Sequence, residues 1–218
     1  MYILIPACLI IAALFIFQEH RENYTAAVIL KGLASLCFVV LGFMISKDSS
    51  VSRTILIGLC LGAVADVLLN LRYVFAAKGK LIFLVGILVF LSGHIAYLIA
   101  VMSMNTQPWL CIIAGIVITA LLMKWLFTKI TAAKAFKIFG IVYIGAIVIL
   151  NCVAFFNLFV SGGTFTKVFA IGVYLFLISD IVLILNTFGS ETKFSLRIAN
   201  LSLYYIGQIL IAMSLLYL

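Results

Sequence analysis

Two aspartates lie inside long apolar segments of this 218-residue chain: Asp66 within ILIGLCLGAVADVLLNL and Asp180 within FAIGVYLFLISDIVLIL. A carboxylate in the middle of a membrane helix costs about 2.5–3.5 kcal/mol on insertion scales, so it is interpreted first as a functional group. Two carboxylates that meet in one site can divide acid–base hydrolysis, one donating a proton and the other accepting one. The pair therefore predicts a hydrolytic centre inside a membrane.

The surroundings of the two aspartates recur along the chain at a constant spacing. The matching positions, each pair 114 residues apart, are Gly58 and Gly172, Asp66 and Asp180, Gly93 and Gly207, and His94 and Gln208. This spacing predicts an internal repeat in which each half of the chain brings one carboxylate to a shared site.

The composition excludes a soluble domain. Hydrophobic residues make up 67% of the chain and charged residues 9%, with a mean hydropathy of +1.39, and a globular surface needs far more charge than this. We therefore predict a polytopic, all-α membrane bundle of eight transmembrane helices built as two parallel four-helix repeats. The single transmembrane domain covers 1–218, with repeat one at about 1–104 and repeat two at about 105–218. The predicted spans are about 2–18, 25–45, 54–71, 81–103, 108–127, 135–157, 166–187 and 198–218.

The net charge of +8 is explained by orientation in the membrane and not by nucleic-acid binding. Eleven of the 14 basic residues fall in the loops and helix ends of one side, and Lys47, Arg53 and Lys167 fall on the other. The positive-inside rule places the eleven in the cytoplasm and both termini outside. We expect a multi-pass integral membrane protein of a bacterial cytoplasmic membrane. The five cysteines lie in apolar segments without a CxxC pair, as core residues do.

Other polar residues follow the helical period of the aspartates. Gly62, Asp66 and Asn70 recur every four residues, which places them on one helix face, and a polar face in a bilayer turns toward the bundle interior. From the helical rise we expect a polar cavity open to the cytoplasmic leaflet, in which Lys31 keeps one carboxylate charged. The predicted supporting residues are Lys31, Asn70, His94, Tyr97, Ser179, Tyr204 and Gln208.

Three other interpretations of these residues stay open. The aspartates can belong to a buried Asp–Lys or Asp–Tyr network that only ties helices together. A zinc site made by Asp66, Asp180 and His94 is disfavoured, because His94 is the one histidine within a predicted span and catalytic zinc usually has three protein ligands. A serine nucleophile at Ser179 is also disfavoured, because adjacent residues point in different helical directions. We predict no metal and no cofactor.

A set of motifs supports a family resemblance that extends over nearly the whole chain. The motifs are Lys31-Gly-Leu, Gly58…Asp66-Val-Leu-Leu, Phe83…Gly86…Phe90…Gly93-His94…Tyr97, Gly172…Phe176…Ser179-Asp180…Leu183 and Tyr204-Tyr205…Gln208…Leu210. They resemble the YhhN family, which includes the lysoplasmalogenases, also called alkenylglycerophosphocholine hydrolases. The resemblance implies hydrolysis of the vinyl ether bond of a lysophospholipid taken from the membrane, with Asp66 and Asp180 as acid and base in an unassigned order. It also implies a lipid phosphate near Lys31, Arg72 or Lys78.

Rival functions use the same buried carboxylates. The first is a proton- or cation-coupled transporter in which the aspartates form a relay. The second is an intramembrane aspartyl protease, which is disfavoured because the residues before each aspartate match neither a YD nor a GxGD signature. The third is a lipid-binding or assembly protein without catalysis.

Overall fold

The computed structural model describes all 218 residues, apart from the side chain of Ala135. The described chain is all-helical. The helices are α1 (Leu4–His20), α2 (Tyr24–Ile45), α3 (Ser50–Val74), α4 (Gly79–Met102), α5 (Pro108–Phe127), α6 (Lys134–Ser161), α7 (Thr164–Phe188) and α8 (Phe194–Ser214), with 3₁₀ turns at Ala76–Lys78 and Leu215–Tyr217.

Local sequence signals fix several helix ends. The side chains of Asn23 and Ser49 cap α2 and α3 by accepting backbone N–H groups of the first turn. Pro108 begins α5, where its missing N–H costs nothing. Gly162 ends α6 with a φ of 61°, a left-handed conformation that glycine adopts without steric cost.

Seven helices are long and apolar enough to cross a membrane, and α1 is a shorter apolar helix of 17 residues. The prediction of a helical, polytopic membrane protein is thus confirmed, whereas the count of eight spans stays a prediction. The span expected at 54–71 is the longer helix Ser50–Val74, since the capped polar turn that begins at Ser50 is invisible to a search for apolar segments.

Glycines let neighbouring helices approach closely at two equivalent crossings. A Cβ on Gly93 of α4 would lie 3.1 Å from the carbonyl oxygen of Gly58 in α3, and a Cβ on Gly207 of α8 would lie 2.9 Å from that of Gly172 in α7. The bounds of α7 are those of α3 shifted by 114 residues, and both helices have 25 residues. These features agree with the predicted repeat.

Contacts between the two halves bring the aspartate-bearing helices near one another. Helix α2 packs against α8 and α4 packs against α6, so each half contributes its second and fourth helices to the junction. The buried core includes large aromatic side chains, of which Phe38, Phe169, Phe176 and Tyr205 are almost fully buried. A cavity lined by both polar and apolar side chains interrupts this core near the ends of α3 and α7.

Candidate functional site

A cavity of about 140 Å³ lies among α2, α3, α4, α6, α7 and α8 and contains both aspartates in its wall. Asp66 and Asp180 are each 2% exposed, so the cavity is their main access to water or ligand. Each lies eight residues before the end of its helix, at Val74 and Phe188 respectively. The carboxylates of the two halves therefore reach one common space at equal helical depth.

Asp66 has three polar side-chain partners. Its Oδ1 lies 3.1 Å from the Nζ of Lys31, a buried ion pair. Its Oδ2 accepts hydrogen bonds from the Oγ of Ser35 at 2.6 Å and from the phenol of Tyr204 at 2.5 Å. A nearby ammonium and two hydroxyl donors all stabilise a charged carboxylate.

The ion pair at Asp66 continues into a polar network that joins four helices. Lys31 also donates to Asn70 at 3.2 Å, and Asn70 donates to Glu19 of α1 at 3.4 Å. Glu19 in turn accepts two hydrogen bonds of 2.8 Å from the guanidinium of Arg197 in α8. The two cations are thus each paired with a carboxylate, and α1 is tied to the bundle without lining the cavity.

Asp180 has a simpler environment. Its Oδ2 accepts one hydrogen bond, from the phenol of Tyr143 in α6 at 2.7 Å. Among the described side chains no basic group lies within ion-pair distance of Asp180. Phe139, Leu183 and Ile184 are among the apolar residues that line the same cavity.

Ser179 lines the cavity but is held by a reciprocal set of hydrogen bonds with Asn200 of α8. Its Oγ donates to the Asn200 carbonyl at 2.9 Å, and the Asn200 amide donates to the Ser179 carbonyl at 2.9 Å and to its Oγ at 2.8 Å. Ser179 has no histidine or carboxylate hydrogen-bond partner among the described side chains, unlike an activated serine nucleophile.

Three of the predicted supporting residues lie behind the cavity wall. Tyr97 donates to Gln208 at 2.9 Å, and Gln208 donates to the phenol of Tyr204 at 3.4 Å. Tyr97 and Gln208 therefore hold Tyr204, which itself donates to Asp66. His94 places its Nδ1 2.9 Å from the Phe90 carbonyl one turn earlier in its own helix. His94, Tyr97 and Gln208 are buried and do not line the cavity, whereas Lys31, Asn70, Ser179 and Tyr204 do.

The alternative zinc site does not form from these residues. The described part of the chain contains no group of three or more histidine, cysteine, aspartate or glutamate side chains placed to hold a metal ion. The reason lies in the position of His94, which is packed 4.4 Å from the ring centre of Phe176 and is outside the cavity that Asp66 and Asp180 share.

Five further polar residues belong to the site or to its hydrogen-bond network and were missed by the sequence reasoning: Ser35, Tyr143, Arg197, Glu19 and Asn200. Ser35 follows Lys31 by one helical turn, so the period of four residues was a usable signal. Tyr143 lies in a largely apolar segment of α6, and the sequence patterns described above do not indicate which way it faces.

The fold and the cavity define the protein as a polytopic α-helical membrane protein with a buried two-carboxylate site. The sequence model of the YhhN family matches residues 26–215, most of the chain, and the chain belongs to that family. The match begins inside α2, so α1 with Glu19 lies outside it. No curated protein and no solved structure matches the chain.

Proposed function

We propose that this protein is a membrane-embedded hydrolase that cleaves the vinyl ether bond of lysoplasmalogens, giving a fatty aldehyde and glycerophosphocholine or glycerophosphoethanolamine. One observation carries the proposal: Asp66 and Asp180, from helices in different halves of the chain, line the same buried cavity. Membership of the YhhN family supports the same reaction.

The chemistry of an enol ether suits two carboxyl groups. A carboxylic acid transfers its proton to the outer carbon of the C=C bond, whose π electrons form the new C–H bond and leave an oxocarbenium ion. Water adds to the cationic carbon and loses a proton to a carboxylate. The resulting hemiacetal loses its hydroxyl proton to the first carboxylate as its bond to the glycerol oxygen breaks, and that oxygen takes the proton held by the second carboxyl group. The aldehyde is released and both carboxyl groups return to their starting protonation states.

The environments of the two aspartates suggest a division of these roles. Asp66 accepts from an ammonium and two hydroxyls, so we assign it as the ionised carboxylate that stabilises the oxocarbenium ion and accepts the proton of water. Asp180 has no such cation, and we assign it as the proton donor, oriented by Tyr143. Lys31, Ser35 and Tyr204 act as positioning residues for Asp66.

The cavity wall suits a single-chain amphiphile. Apolar residues from α4, α6 and α7 make up much of its lining, and Phe83, Ile87, Phe136, Leu183 and Phe188 are among them. An alkyl chain buried there gains about 25 cal/mol for each Å² of apolar surface removed from water. A lipid that enters from the surrounding leaflet keeps its alkyl chain in an apolar environment and brings its polar end to the carboxylates.

We also propose the finer architecture in which this site operates. Residues 1–104 and 105–218 form two parallel repeats of one transmembrane domain, with both termini outside and the cavity near the cytoplasmic ends of α3 and α7. The reciprocal packing of α2 on α8 and α4 on α6 supports this, as do the equivalent glycine crossings. The uninterrupted α3 and α7 favour a fixed catalytic site over a transporter, whose binding helices are often broken.

Purified protein in detergent or nanodiscs tests the function directly. It is incubated with a panel of alkenyl, alkyl and acyl lysophospholipids, and aldehyde and fatty acid release are followed by mass spectrometry. We expect aldehyde from the alkenyl lipids, and loss of that signal in both Asp66→Asn and Asp180→Asn. Full activity in both variants would remove the carboxylates from the mechanism.

Two other results would redirect the proposal. Release of fatty acid from the acyl lipids, without aldehyde from the alkenyl lipids, would make the enzyme an esterase at the same site. Movement of an ion or solute across liposomes without lipid turnover would support the transporter.

A further inference from the structure

We infer that Arg72, at the rim of the cavity, binds the phosphate of the lipid substrate and thereby sets which bond of the lipid reaches the two aspartates. The inference rests on the proposed function for the identity of the lipid, and on the charges and contacts of the cavity for the anion site. It separates Arg72 from the two other cations expected near the phosphate, Lys31 and Lys78.

The pairing of charges around the cavity leaves Arg72 as its unpaired cation among the described side chains. The lining cations are Lys31, Arg72 and Arg197. Lys31 lies 3.1 Å from Asp66, and Arg197 lies 2.8 Å from Glu19. No carboxylate of the described residues lies within ion-pair distance of Arg72, and Lys78 does not line the cavity.

Arg72 is held in one orientation by its neighbours. Its guanidinium carbon lies 4.4 Å from the ring centre of Phe83 and 4.6 Å from that of Tyr73, and its Nη2 donates to the Tyr73 hydroxyl at 2.6 Å. Its Nε is buried without a hydrogen-bond partner in the protein. A fixed guanidinium without a carboxylate partner matches a phosphate, which accepts several N–H bonds at once.

The spacing along α3 fits the geometry of the lipid. Arg72 follows Asp66 by six residues on the same helix, which places the two Cα atoms about 9 Å apart along the axis. In a lysoplasmalogen seven covalent bonds separate the phosphorus from the outer vinyl carbon, and an extended chain covers about 8 Å over that number of bonds. A phosphate at Arg72 therefore brings the vinyl ether to the level of Asp66.

A second consequence concerns selectivity between lipids. The phosphate diester is common to choline and ethanolamine head groups, so Arg72 selects for a phospholipid over a neutral ether lipid and does not discriminate between the two head groups. The alkyl chain contacts the aromatic and aliphatic residues of the cavity wall. In that wall Phe83 also contacts Phe136.

Binding of uncleavable lipids tests this without requiring turnover. The full-length protein in nanodiscs is titrated calorimetrically with 1-alkyl-glycerophosphocholine, with the 1-alkylglycerol of the same chain length, and with inorganic phosphate. We expect Arg72→Gln to weaken the phospholipid affinity about tenfold to a hundredfold, the usual range for a hydrogen-bonded charge, and to leave the alkylglycerol affinity unchanged. Arg72→Lys keeps the charge and loses the forked geometry, so we expect an intermediate loss.

Arg21 provides the matched control. It is an exposed arginine that also stacks on an aromatic ring, with its guanidinium carbon 4.6 Å from the centre of Phe17, but it does not line the cavity. We expect Arg21→Gln to bind all three probes as the wild type does.

Each outcome decides between explanations. Equal phospholipid affinity in wild type and Arg72→Gln overturns the inference, and so does an equal loss for phospholipid and alkylglycerol, which would mark a structural role. Inorganic phosphate bound as tightly as the phospholipid would assign the site to a free anion and overturn the lipid source. Arg72-dependent phospholipid binding without aldehyde release from alkenyl lipids would instead retain the anion site and reject the proposed reaction.

Discussion

The two aspartates occupy equivalent places in the two halves of the molecule, yet their surroundings differ. Asp66 and Asp180 each lie eight residues from the end of a 25-residue helix and line one cavity. Asp66 is bonded to Lys31, Ser35 and Tyr204, whereas Asp180 is bonded to a single phenol. Similar backbone positions therefore present two carboxyl groups with different electrostatic environments.

The spacing of 114 residues shows where this difference originates. In the second half, Gly145 is equivalent to Lys31 and Ile149 is equivalent to Ser35. In the first half, Phe90 is equivalent to Tyr204. None of these three can donate a side-chain hydrogen bond. The three polar partners of Asp66 therefore have no polar counterparts at the equivalent positions around Asp180, whose partner is Tyr143. Two equivalent carboxylates can share one proton, whereas unequal surroundings assign the proton to one particular residue of the pair.

The largest expected effect comes from removing either acidic group. We expect Asp180→Asn and Asp66→Asn each to lower the turnover of an alkenyl lysophospholipid by about 10²–10⁴-fold, the usual contribution of general acid–base catalysis. Aldehyde release measured at saturating lipid checks this. Asp48→Asn is the control, because Asp48 is exposed and pairs only with Arg53. A loss in one variant alone would mean that a single carboxylate does the chemistry.

We expect Asp66→Asn and Asp180→Asn to differ in the free energy of unfolding, although both are expected to lose activity. Removing the charge of Asp66 leaves Lys31 buried without its counter-ion, and breaking a buried pair typically costs about 3–5 kcal/mol of unfolding free energy. Asp180→Asn breaks no ion pair, so we expect a much smaller change. Denaturation of the variants in mixed micelles measures both, and equal destabilisation would contradict the asymmetry.

A double-mutant cycle sharpens this result. Lys31→Met leaves Asp66 uncompensated and should destabilise the protein by a similar amount, whereas Lys31→Met combined with Asp66→Asn should recover much of the loss. Additive effects of the two substitutions would show that the pair does not interact in the folded protein.

Removing the phenol hydroxyls of Tyr143 and Tyr204 should lower turnover less, and Tyr143 should matter more than Tyr204. Tyr143→Phe removes the one hydrogen bond that Asp180 receives from a described side chain, and we expect about a tenfold fall in turnover. Tyr204→Phe leaves Asp66 its ion pair and the Ser35 hydroxyl, so a fall of only a few-fold is expected. Initial rates of aldehyde release compare the two variants, and the reverse order would contradict the proposed difference in how the two aspartates are supported.

The sequence predicts those parts of the site that follow from helical period and from the cost of burying a charge. Asp66 and Asn70 share a face by spacing, and a buried lysine such as Lys31 needs an acidic partner nearby. The rotation of a helix about its own axis depends on packing that the apolar pattern does not record. Tyr143 therefore could not be placed, although it is the partner of Asp180.

The same limit applies to two of the predicted supporting residues. His94 and Gln208 match across the repeat, but the match does not indicate whether their side chains face the cavity. The structure places them behind the cavity wall, where His94 is bonded to the carbonyl of Phe90 in its own helix. A side chain that satisfies its polar atoms within one helix gives the same sequence signal as one that faces a ligand.

Ser179 offers the smallest effect and a sharp distinction between mechanisms. It is adjacent to Asp180 and lines the cavity, but its hydroxyl and carbonyl are engaged by Asn200. Ser179→Ala removes two hydrogen bonds between α7 and α8, so we expect a modest loss of stability, about 1–2 kcal/mol, and at most a few-fold fall in turnover. A covalent serine mechanism requires complete loss instead, together with a lipid adduct on Ser179 visible by mass spectrometry of the intact protein. Because water attacks the oxocarbenium ion directly in acid–base hydrolysis, an active Ser179→Ala enzyme would leave the two unequal carboxylates as the reacting groups.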